Sequence, residues 1–194
     1  MEPDIVAYNT IIGGLCTSEE IVRAEELFRE MGLNGIEVTC VTYENLIIGY
    51  CKVADIDSAL LIYTHMCRKG FRPQGLIVEV LIKGLYYKGM VLEALEIMKA
   101  VRELGVCPTG KGYELLIKGL CMEGKMEEAL KLQAEMVGKG FKPNLEIYDA
   151  FIEGYLSLGN EEMVNSIEKG GFRNSKRAVR ELDVYYFTTG SRPV

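Results

Sequence analysis

The chain has 194 residues, 48% of them hydrophobic, and a formal net charge of −6. That apolar content supports a packed core and excludes a chain that is mainly disordered, and the absence of any run of about 18 apolar residues excludes a membrane-spanning helix. The acidic balance tells against a binder that relies on basic charge throughout; the charge is uneven, with residues 173–194 at +3 and residues 1–172 at −9.

The opening "MEPDIVAYNT" is acidic and passes at once into patterned sequence, with the features of neither a secretory signal nor an Arg-rich transit peptide. The chain is therefore expected to be part of a longer gene product that would supply further repeats and a targeting peptide. From Ile5 onward one glycine recurs every 35 residues, at Gly14, Gly49, Gly84, Gly119 and Gly154. An isoleucine stands two residues before each, at Ile12, Ile47, Ile82, Ile117 and Ile152. Ten residues after the first four glycines stand Ala24, Ala59, Ala94 and Ala129, and a second glycine closes each unit at Gly35, Gly70, Gly105 and Gly140. Four registers held at one period mark an internal repeat. The units run 5–39, 40–74, 75–109 and 110–144, then a degenerate fifth from 145 to 174 and a basic tail or cap from 175 to 194.

Each unit reads as two helices. In the fourth, Tyr113, Leu116, Ile117 and Leu120 make one apolar helical stripe. "MEGK" interrupts it, with Gly124 suited to a left-handed turn. A second stripe runs from Met126 to Met136, and "GKGFKPN" stops it with glycine and then proline. Gly119 and Ala129, one on each helix, are expected to bring the two helices of a pair into close contact. A single pair buries only part of its apolar surface, so stacking supplies the core. The expected fold is all-α, a right-handed α-solenoid of 35-residue helix-turn-helix repeats.

These residues resemble a known family. A 35-residue pair containing "VAYNTIIGGLC" or "VTYENLIIGYCK", then "A-L" in the second helix and "M..KG[FI].P", is similar to the pentatricopeptide repeat (PPR), in its plant-like P-class form. The likeness covers residues 5–172, and nothing in residues 173–194 resembles the editing-type or nuclease domains some members append. The resemblance implies selective binding of single-stranded RNA, mostly in the mitochondrion or chloroplast, for RNA processing, stability or translation. It implies that the second residue of each repeat stacks on a base, while the fifth residue and the last of the same repeat bond its Watson–Crick edge. One base per repeat suits a regular solenoid.

Carried onto this chain, the first repeat offers Val6 and Asn9 with Thr39 as its last residue. The Asn is the family's pyrimidine-reading choice, and Val6 with Val41 could sandwich a base. The second offers Val41, Glu44 and Gln74, the third Leu76, Glu79 and Thr109, the fourth Lys111, Glu114 and Asn144, and the fifth Glu146 and Asp149. These residues are expected on the exposed inner face of the first helices, along with a ninth and a thirteenth position. Lys52 falls at the thirteenth, where the family tends to keep a lysine for phosphate. Acidic fifth residues depart from the family's Asn, Thr or Ser: a carboxylate accepts hydrogen bonds but cannot donate and repels a phosphate chain. Four lysines (Lys52, Lys83, Lys111, Lys118) against six acids (Glu44, Glu79, Glu114, Glu146, Asp149, Glu153) leave the face at −2. Glu79 with Lys83, and Glu114 with Lys118, are spaced for intrahelical ion pairs.

Other features read more plainly. The six cysteines have no paired spacing and read as isolated small apolar residues rather than a metal site or disulfide framework. The single histidine, His65, reads as a second-helix surface residue. Tyr185, Tyr186 and Phe187 near the end read as a cover for the last repeat's core, or as a base-stacking group beside "RNSKRAVR". No nucleophile–base arrangement, phosphate loop or metalloprotease signature occurs, so neither catalysis nor a cofactor is expected. Two function classes stand: a non-catalytic binder of single-stranded RNA, and a helical protein-interaction scaffold within a ribonucleoprotein.

Overall fold

A computed structural model of the chain describes residues 4–170. The expected tail of 175–194, with Tyr185, Tyr186 and Phe187, lies outside them. The described residues form ten α-helices and no strand, an all-α repeat solenoid of helix pairs. The first helices of the pairs are α1 (Ile5–Thr17), α3 (Cys40–Lys52), α5 (Gly75–Tyr87), α7 (Gly110–Met122) and α9 (Leu145–Ser157). The second helices are α2 (Ile21–Leu33), α4 (Ile56–Arg68), α6 (Val91–Glu103), α8 (Met126–Gly138) and α10 (Glu161–Gly170). The chain divides after Gly112 into two compact units.

Side chains at the helix starts take up backbone N–H groups that no intrahelical carbonyl reaches. Asp4 accepts from the Ala7 N–H at 2.9 Å and Asp55 from the Ser58 N–H at 3.1 Å. Between the helices of a pair the chain turns through a left-handed residue: Gly124 has φ +71°, while Ala54 holds the same place in the second pair at φ 59°.

In the unit before Tyr113 the first helices stack side by side, α1 on α3 and α3 on α5. Each second helix packs on its own partner, and α2 and α4 also reach the next first helix. In the other unit α9 packs on α10 and on α8. Ile12, Ile47, Ile82 and Ile117 are fully buried, as are Ala24, Ala59, Ala94 and Ala129. At Gly49, Gly84 and Gly154 the periodic glycine faces the preceding pair and not its own, a different role from the one expected. A Cβ on Gly49 would stand 2.7 Å from Cys16 Sγ and 2.8 Å from Ile21 Cδ1; on Gly84, 2.5 Å from Ile56 Cδ1; on Gly154, 2.8 Å from Met126 Sδ. Gly14, in the first pair described, has nothing within 4 Å even though α2 is its own partner. The missing side chain therefore makes room for the apolar residue that opens the preceding second helix.

Candidate nucleic-acid interface

The residue before each of α3, α7 and α9 has two duties, whereas Gln74, before α5, makes no side-chain cap. Thr39 forms a capping box on α3: its N–H donates to Thr42 Oγ1 at 3.2 Å, and the two hydroxyls lie 3.3 Å apart. Thr109 Oγ1 accepts from the Gly112 N–H, and Asn144 Oδ1 from the Ile147 N–H, each at 3.1 Å. Capping pins these side chains beside the preceding first helix. There each bonds the fifth residue, 30 positions earlier. Asn9 Nδ2 donates to Thr39 Oγ1 at 3.3 Å. Glu44 accepts from the Gln74 backbone N–H at 3.2 Å and from Gln74 Nε2 at 3.3 Å. The Thr109 hydroxyl donates to Glu79, and Asn144 Nδ2 donates to Glu114 at 2.8 Å. Fifth and last residues thus meet in all four complete pairs.

The four meetings differ in what they leave available. Asn9 is half-buried; its Oδ1 accepts from the Thr42 hydroxyl at 2.6 Å, and its backbone carbonyl accepts from Asn45 Nδ2 at 3.0 Å. A primary amide has two N–H groups and two lone pairs, so one donor and one acceptor remain for a base edge. The glutamates do not lie open on the face as expected. Glu44 is 8% exposed and Glu114 6%, because the last residue of the repeat folds over each carboxylate and donates to it. Glu44 also accepts from the Cys40 thiol at 3.6 Å. Burial, with the Glu44 charge beside it, pushes that thiol up to about 11, so it stays a neutral donor. Glu79 is half-buried and turned to Thr109, and the expected Glu79–Lys83 ion pair is not formed: the capped hydroxyl is the better-placed partner. Asp149 is exposed, and the position 30 residues beyond it lies outside the described residues.

The second residues form an exposed row. Val6 is 66% exposed, Val41 49% and Leu76 64%, an apolar series on α1, α3 and α5, whereas the second residues of α7 and α9, Lys111 and Glu146, are charged. Lys52 donates to the Thr17 carbonyl at 3.2 Å, a lysine placed on the end of α1 where helix carbonyls lack partners. Lys118 forms an ion pair with Glu146 at 2.8 Å. The first helices of the two units differ in charge. Before Tyr113, exposed Lys52, Lys83 and Lys111 stand against the half-buried Glu79; after it, Lys118 stands against exposed Glu146, Asp149 and Glu153.

Sequence reasoning missed the supports of the Asn9 site, Thr42 and Asn45, although the Thr39-x-x-Thr42 spacing is a capping-box signal. It also missed a tie across three helix pairs. Tyr8 donates to Glu30 at 2.8 Å and Tyr113 to Glu135 at 2.7 Å, and Tyr43 Oη lies 3.4 Å from Nδ1 of the exposed His65. Each tie links residues 22 apart, a register visible once the repeats are aligned. The bond to Glu30 also holds the Tyr8 hydroxyl above its usual range.

Helix pairs repeated at 35 residues, four of them with a fifth-to-last hydrogen bond, define an α-helical repeat protein. The PPR repeat family matches residues 3–52 and 108–157, and the PPR repeat matches residues 41–71 and 79–106. The chain belongs to the pentatricopeptide repeat family. Among solved structures it is similar to the pentatricopeptide repeat protein PPR10 from maize, at 22% identity over 94% of this chain and 26% of that one, with TM-score 0.72. It is similar also to nuclear proteinaceous RNase P 2 from Arabidopsis thaliana, at 14% identity, 93% and 41% coverage and TM-score 0.75. The PPR domain of Arabidopsis thaliana protein-only RNase P 1, solved in complex with tRNA, matches at 17% identity, 92% and 96% coverage and TM-score 0.71. At these identities the likeness is one of fold, and the chain spans about a quarter of the PPR10 chain. No curated protein sequence matches it. Among the described residues no helix is long and apolar enough to cross a membrane, and no group of His, Cys, Asp and Glu is placed to hold a metal ion.

Proposed function

We propose that this chain is a non-catalytic, single-stranded RNA-binding repeat protein that acts on a transcript of the mitochondrion or chloroplast, in its processing, stability or translation. The observation that carries this reading is the fifth-to-last hydrogen bond, repeated at 30 residues beside a row of exposed second residues. A base entering beside Asn9 and Thr39 stacks between Val6 and Val41 and finds one spare N–H and one spare lone pair on the Asn9 amide. A cytosine or uracil edge offers both kinds of complement. Stacking contributes about 1–3 kcal/mol per base. The PPR10 fold holds an 18-nucleotide psaJ RNA element in one of its structures, which supports the reading by likeness.

The second pair adds an apolar slot between Val41 and Leu76, but its carboxylate is already engaged by Gln74, so it contributes stacking more than base choice. Titration of a short pyrimidine-containing RNA at low salt and again at about 200 mM tests the proposal. Binding that weakens with salt is expected; no binding to any single-stranded RNA at low salt would overturn it. The acidic face of α9, with Glu146, Asp149 and Glu153 exposed, favours a second reading for that segment alone: contact with a basic protein partner.

A further inference from the structure

The hydroxyl of Thr42 does more than close the cap on α3. It belongs to a fully buried residue and lies 2.6 Å from Asn9 Oδ1. That separation suits an O–H···O bond and is shorter than an ordinary N–H···O bond, so the amide oxygen, not the nitrogen, faces Thr42. The Thr39 N–H donates to the same hydroxyl at 3.2 Å, and the hydroxyl gives its own hydrogen to Asn9. On the other side Asn9 donates from Nδ2 to Thr39 Oγ1 at 3.3 Å. The Asn9 amide is therefore held in one of its two orientations, between a hydroxyl that donates to it and one that accepts from it.

Orientation matters only for a side chain whose two ends differ. The fifth residues of the other first helices are Glu44, Glu79, Glu114 and Asp149, carboxylates whose two oxygens are alike. The third residues of the first helices, Ala7, Thr42, Ile77, Gly112 and Ile147, include a single hydroxyl. That hydroxyl stands 33 positions after the single amide, and the two are bonded.

Pyrimidines respond to amide orientation. On its Watson–Crick edge uracil sets a carbonyl acceptor beside an N–H donor, whereas cytosine sets an amino donor beside a ring-nitrogen acceptor. At those two atoms the edges are opposites. An amide free to turn over complements either base; an amide held one way complements one of them.

We propose that Thr42 is a positioning residue: by holding the Asn9 amide in one orientation it makes the first repeat choose between uracil and cytosine. This rests on the RNA reading above. Thr39 alone does not set the choice, because its hydroxyl can donate or accept and so suits either end of the amide.

The test uses pairs of 12-nucleotide single-stranded RNAs that are identical except for cytosine or uracil at one position, with that position moved along the strand. Wild-type protein is compared with Thr42→Val and Thr42→Ala, which lack the hydroxyl, with Thr42→Ser, which keeps it, and with Asn9→Ala. Thermal melting is the fold control, and Thr42→Ala adds no bulk, which keeps the test open should Thr42→Val not fold. Wild-type protein is expected to separate the two bases by about tenfold at one position, the worth of one polar contact. Thr42→Val and Thr42→Ala should bring the two affinities within about twofold of each other, and Thr42→Ser should keep them apart. A hydroxyl that only capped α3 would lower the melting temperature of the first two variants and leave the ratio unchanged. A ratio that survives Thr42→Val and Thr42→Ala but falls in Asn9→Ala overturns the lock and leaves the RNA reading intact, as does wild-type binding that does not separate the two bases. A ratio that survives Asn9→Ala overturns the lock and Asn9 as the selecting residue together. Absence of wild-type binding removes the RNA reading first and the lock with it.

Discussion

The first-helix face before Tyr113 and the face after it are built from the same repeat and differ in chemistry. On the first, Val6, Val41 and Leu76 are exposed, the Asn9–Thr39 pair keeps a spare donor and acceptor, and three exposed lysines face one half-buried glutamate. On the second, Glu114 is buried under Asn144, Lys118 is tied to Glu146, and Asp149 and Glu153 are exposed. The packing seam does not differ. Gly49, Gly84 and Gly154 all leave room for the side chain that opens the preceding second helix. The period thus keeps what one pair needs in order to fit the next, and leaves each face residue to set what that repeat does.

The largest expected effect comes from breaking the seam. Gly49→Val drives new methyl groups into Cys16 and Ile21 and should cost about 3 kcal/mol in urea unfolding. Gly14→Ala, at the same place in the repeat but with open space, should add about 0.5–1 kcal/mol. Next comes the closed pair. Asn144→Ala removes both a helix cap and a donor to the buried Glu114, and about 2 kcal/mol of stability should go with them. Asn9→Ala, at the half-open pair, should cost less stability than Asn144→Ala.

A smaller effect is alkaline. Burial pushes Cys16 and Cys51 up to about 11 and Cys121 up to about 12. The unfolded thiols ionise first, near about 8.5. The stability these groups contribute is therefore whole below that pH and is lost as pH rises through 11–12. Urea midpoints should be level from about pH 7 to 8 and fall beyond about 9 in both units. Smallest is Glu79→Gln, which keeps an acceptor for Thr109 and deletes the half-buried acid of the first unit's face; RNA affinity should rise about threefold at low salt.

The helix pairs were legible because their signals are local: stripes at 3–4 spacing, Gly124 at the turn, Gly140 followed by Pro143 at the stop. The role of the periodic glycine was not. A small residue among apolar neighbours reads the same whichever helix comes close, and the contrast of Gly14 with Gly49 decides it. The burial of Glu44 and Glu114 was hidden for a related reason. Whether a carboxylate lies open depends on a residue 30 positions away, and only the folded repeat puts Gln74 and Asn144 over them. Fifth and last residues were paired in advance through the family resemblance, not through their own chemistry.

The central claim is that the Asn9–Thr39 pair selects a base. The most direct measurement is the affinity of wild-type and Asn9→Ala protein for a set of 12-nucleotide single-stranded RNAs that differ in one base. Wild-type protein should prefer a pyrimidine at one position by about tenfold, the worth of one well-made polar contact, and Asn9→Ala should bind the set evenly with its melting temperature nearly kept. A preference that survives Asn9→Ala, or a wild-type protein that binds none of the set, would contradict the account.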